Sequence, residues 1–107
     1  MKVVIDFSIF VSDMGAFGNI TGQLDVPVTP QIGDSLSVMF SGSEYIPENI
    51  EFSGLFKVTD RIISAHSDDQ NLSLALSEVT VRSTEEALKL MKYFELNFNL
   101  FAIRYFD

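Results

Sequence analysis

His66 is the only imidazole in the chain, and Ser67, Asp68 and Asp69 follow it directly. A hydrolase built from this group would use His66 as general base and Asp68 or Asp69 to orient the ring; the same residues could start a metal site. The run Ser67-Asp68-Asp69-Gln70-Asn71 is also the chemistry of a turn, because these side chains hydrogen-bond their own backbone. A hairpin tip is solvated and offers no second imidazole, so the turn reading prevails and no catalytic residue is assigned. Other chemistries fail on residue type or spacing. No serine stands in a Gly-x-Ser-x-Gly elbow or a Ser-x-x-Lys pair, and Gly15 and Gly18 lack the spacing of a phosphate-binding loop. The chain has no cysteine, and neither an EF-hand loop nor a histidine-based zinc motif fits it. Its 15 acids allow many carboxylate pairs but fix the separation of none. The sequence therefore predicts no enzyme, no cofactor and no metal.

Two residue groups suit recognition instead. Residues 1–56 hold Lys2 against Asp6, Asp13, Asp25, Asp34, Glu44, Glu48 and Glu51, a net −6 of the chain's −8. Such a surface repels phosphate backbones and anionic membranes, since non-specific nucleic-acid affinity comes from Lys and Arg. Its complement is a basic protein partner, for which Glu44, Glu48 and Glu51 form the acidic face; the same charge also keeps the chain dispersed. The second group is the aromatic ending. Leu96, Phe98 and Leu100 alternate with Asn97 and Asn99, after which the apolar parity passes to Phe101, Ile103 and Tyr105. If Leu96, Phe98 and Leu100 point inward, Phe101, Ile103 and Tyr105 join them only through a bulge near Leu100; otherwise they stand outside as an interface strip that a homodimer would cover. The alternative is that the strand over residues 3–11 pairs with this ending and closes the fold within one chain.

The elements that position these groups follow from periodicity. Val3, Ile5, Phe7, Ile9 and Val11 alternate along a first strand, and Ile20, Gly22, Leu24 and Val26 along a second, with residues 12–19 as a loop between them. Pro30-Gln31-Ile32-Gly33-Asp34 is a turn that launches Leu36, Val38 and Phe40. Residues 41–49 read as a loop. A long hairpin spans residues 52–82: Phe56 and Val58 alternate up to a bulge at Thr59-Asp60-Arg61, the chain reverses at residues 67–71, and Leu72, Leu74 and Leu76 return. Parity then shifts near Ser77-Glu78 to Val79 and Val81, which predicts a second bulge. Ser83-Thr84-Glu85-Glu86 is a capping box, so the spacing of Ala87, Leu90, Met91 and Phe94 predicts a helix over residues 83–94, with a last strand after it.

At 107 residues, 47% hydrophobic and with ten Phe, the chain is a single domain over residues 1–107 with one core. The predicted fold is mainly β: a small antiparallel barrel or barrel-like sheet of about six strands with one helix in the C-terminal half. A twisted antiparallel sheet with the helix on one face is the competing architecture. The absence of cysteine and of an apolar run near the roughly 20 residues of a membrane span favours a soluble, cytoplasmic protein. The expected function is a non-catalytic protein-binding or assembly module. The alternatives are a carrier of an apolar ligand inside the barrel, and the hydrolase built on His66 with Asp68 or Asp69.

Overall fold

The computed structural model describes residues 2–38, 50, 52–63 and 72–105. The described residues form seven strands and one helix: β1 (Lys2–Val11), β2 (Gly15–Asp25), β3 (Ser35–Ser37), β4 (Leu55–Ile63), β5 (Leu72–Leu76), β6 (Val79–Val81), α1 (Thr84–Phe98) and β7 (Phe101–Arg104). The strands lie in the order β3-β4-β5-β1-β2-β7, with β6 beside β1 beyond the end of β5.

β1 lies between β2 and β5, and its alternation places Val3, Ile5, Phe7, Ile9 and Val11 on one buried face. The antiparallel expectation holds for β1–β2, β2–β7, β3–β4 and β4–β5, but β5 and β6 both run parallel to β1. A period of two is common to both kinds of ladder, so the pattern carries no direction. The register against β1 advances by one residue between Ala75 and Val79, which accounts for the parity shift at Ser77-Glu78. The bulge in the hairpin's first arm falls between Val58 and Asp60.

The sheet is not closed into a barrel. Its terminal strands are β3 and β7, and β7 pairs with β2 rather than with β1. The apolar face that a barrel would wrap around itself is covered instead by α1, whose Ala87, Leu90, Met91 and Phe94 form one stripe. Phe94, with no exposure, meets the rings of Phe7 at 5.1 Å, Phe56 at 6.1 Å and Phe98 at 6.0 Å. Burying each of Leu90 and Phe94 stabilises the layer by roughly 2–3 kcal/mol.

Element boundaries differ from the sequence expectation: β3 ends at Ser37, before Val38, and β4 begins at Leu55 rather than residue 52. β2 begins at Gly15, so the loop shrinks to a short turn. Phe17 is the residue left unpaired where the β1–β2 register shifts, and it is buried. The helix runs to Phe98, taking Leu96 and Phe98 from the predicted strand. Alternate apolar residues fit either element here, and the stop comes at Asn99, which adopts the left-handed conformation (φ 55°, ψ 37°) and donates its N–H to Phe94 O. At the other end Ser83 Oγ accepts from Glu86 N at 3.2 Å. The Glu86 carboxylate reaches one residue beyond the cap, accepting from Arg82 N at 3.0 Å and from the Arg82 guanidinium at 2.8 Å.

Candidate functional site

His66, Asp68 and Asp69, and the acidic face Glu44, Glu48 and Glu51, lie outside the described residues. Among the described residues no group of three or more His, Asp or Glu side chains could hold a metal ion. A shallow open depression of about 530 Å³ lies on the sheet face opposite α1, between Asp6, Ser8, Phe10, Thr59, Ser77 and Glu78. Its polar groups are committed nearby: Asn19 Nδ2 donates to Asp6 Oδ1, and Ser8 Oγ donates to Asn19 Oδ1 at 3.3 Å.

The third group of sequence candidates is described in full. Phe101 is 68% exposed, Ile103 54% and Tyr105 51%. Ala102 and Arg104 turn the other way, toward α1. They line a groove of about 580 Å³ together with Leu88, Met91, Lys92, Glu95 and Leu96, of which Leu88 and Leu96 are themselves exposed. The terminal strand β7 is thus flanked by apolar side chains on both sides of the sheet.

Two glycines of β2 hold β7 in this position. A Cβ on Gly18 would stand 2.5 Å from Ile103 O and would also collide with the end of the Met91 side chain; one on Gly22 would meet Leu100 Cδ2 at 2.7 Å. Leu100 is consequently buried at the mouth of the strand. Reading residues 12–19 as a loop concealed the role of Gly18, although glycine inside a strand marks close backbone approach.

The backbone of β7 alternates like its side chains. Tyr105 N–H donates to Phe17 O at 2.9 Å, so the peptide groups of the odd-numbered residues face β2. Those of Ala102 and Arg104 face away from the sheet, where no described strand meets them. The sheet's other terminal strand, β3, is only three residues long, and the Lys57 ammonium beside it donates to Ser35 Oγ at 3.0 Å. A short edge with a lysine is a poor template for pairing; a four-residue edge with apolar flanks is a good one.

Charge at the site is mixed, Lys92 and Arg104 lying with Glu95 around the groove. Among the described residues, a perturbed carboxyl lies outside it. Hydrogen bonds from the Arg82 side chain and then from the Arg82 amide hold the Glu86 carboxyl below its ordinary value of 4.5.

No known protein family, curated protein or solved structure matches this chain. Among the described residues no helix is long and apolar enough to cross a membrane.

Proposed function

We propose that this protein is a non-catalytic interaction module that docks a protein partner along the outer edge of β7. The observation that carries this reading is the edge that no other described strand pairs: outward peptide groups at Ala102 and Arg104, with Phe101, Ile103 and Tyr105 on one side and Leu88 and Leu96 on the other. Main-chain pairing supplies affinity in such an arrangement, and the flanking side chains supply selectivity. Carriage of an apolar ligand is less well supported, because Phe7, Phe56 and Phe94 fill the space between sheet and helix, with ring centroids 4.4–6.1 Å apart.

The test is affinity capture with the purified chain as bait, followed by reconstitution with each identified partner. Phe101→Lys combined with Ile103→Lys is expected to weaken the reconstituted complex at least about tenfold, since charges on an edge strand oppose pairing. Val28→Lys, at a site 69% exposed and outside the strands, is expected to leave it unchanged. Equal binding by all three proteins overturns the assignment of β7.

A further inference from the structure

We propose that the partner at β7 is a second copy of this chain, joined antiparallel about a two-fold axis at Ile103, so that two sheets become one. This inference rests on the reading of β7 as the docking edge and adds who docks and in what register.

The register follows from parity. In a two-fold antiparallel pair each residue faces the one at the mirrored position, and both lie on the same side of the joined sheet. Centring the pair on Ile103 sets Ile103 against its own copy and Phe101 against Tyr105 of the other chain, so all three exposed apolar side chains meet one another. The same register sets Ala102 against Arg104. These are the residues whose peptide groups point outward, and each Ala102–Arg104 pair exchanges two hydrogen bonds, four in all across the axis. Centring on Arg104 would put two guanidinium groups directly opposite, which is unfavourable. Centring on Ala102 leaves Tyr105 unmatched.

Charge and area favour a copy over an unrelated acidic protein. The chain as a whole carries −8, yet this edge holds Lys92 and Arg104 against Glu95. The groove beside this edge thus lacks the acidic excess of the whole chain, and each copy offers the other both signs. Both helices come to lie on the same side of the joined sheet, with Leu88 and Leu96 of each overhanging the seam above small Ala102. At roughly 200 Å² for a whole aromatic side chain, Phe101 and Tyr105 expose on the order of 100 Å² each. With Ile103, Leu88 and Leu96 the strip reaches about 400–500 Å². Twice that area, the most that two copies could bury, is close to the roughly 1,000 Å² that a specific interface requires.

The chain lacks cysteine, so single cysteines report the register. The axis pair is one whose peptide groups face away from the seam, with Cα atoms expected about 4.5 Å apart, within the range a disulfide spans. Ile103→Cys is expected to oxidise to a covalent dimer at least tenfold faster than Val28→Cys, a control on an exposed site outside the strands. Phe101→Cys and Tyr105→Cys are each expected to be slow alone and fast when mixed. The unmodified chain is expected to sediment as a dimer, and Ile103→Lys as a monomer. A monomer at several hundred micromolar, with Ile103→Cys no faster than Val28→Cys, overturns self-pairing. In that event, loss of a reconstituted heterologous complex in Phe101→Lys/Ile103→Lys would preserve β7 as a docking edge, and indifference of that complex would remove both readings. A fast Phe101→Cys alone, with a slow Ile103→Cys, overturns the register.

Discussion

Replacing Gly18 by alanine tests whether the position of β7 depends on the missing side chain opposite it. The new methyl would stand 2.5 Å from Ile103 O, closer than the 3.0 Å below which such contacts are essentially never found. Met91 can swing its terminal methyl aside, but the carbonyl belongs to the β2–β7 ladder, which pairs Gly18 with Arg104 and Asn19 with Ile103. The strand must therefore retreat by at least about 0.5 Å, and overpacking of this kind costs about 1–3 kcal/mol. Taking about 2 kcal/mol against a total stability on the order of 10 kcal/mol, the thermal midpoint should fall by about 10 °C. Unfolding followed by circular dichroism measures the fall, and hydrogen exchange should show the amides of β7 losing more protection than those of β1. Gly33→Ala is the control: its φ of +94° is unfavourable for alanine, but nothing lies within 4 Å of the added methyl. It should cost about 1–2 kcal/mol while leaving β7 protected. A Gly18→Ala protein within about 0.5 kcal/mol of the parent, with β7 exchange unchanged, would refute the close-approach argument.

Tyr93 is buried, and its hydroxyl donates to Val38 O at 2.9 Å, tying the chain after β3 to the helix. Tyr93→Phe keeps the ring contacts and loses the donor, so urea unfolding should report a loss of about 1–2 kcal/mol; no loss would mean that water replaces the bond at no cost. The Glu86 carboxyl has a lowered pKa in the folded chain, so its contribution is complete above the ordinary value of 4.5 and disappears as the pH falls through the lowered one. The stability difference between the parent and Glu86→Gln should be constant above about pH 5 and shrink in more acid solution. A difference that grows on acidification would contradict the sign.

The elements were largely legible because their signals are local. Alternation in β1, the hairpin arms of β4 and β5, the bulge after Val58 and the cap at Ser83 each depend on residues within a few positions of one another. Where the same apolar spacing suits two elements, locality fails. Leu96 and Phe98 alternate like strand residues but sit on the last turn of α1, because the left-handed Asn99 ends the helix later than the stripe alone implies. Of the candidate site, the types and parity of Phe101, Ile103 and Tyr105 could be read from the chain, and their exposure could be posed as one of two outcomes. Only tertiary structure chose between them. β7 pairs with β2 and leaves β1 in the interior of the sheet, β5 and β6 run parallel to β1, and the helix covers the face that a barrel would have enclosed. Strand direction and neighbour choice are settled by contacts between distant residues, such as Gly18 with Ile103 and Phe7 with Phe94. A period of two records which side of a strand is buried and holds no information about what lies beside it.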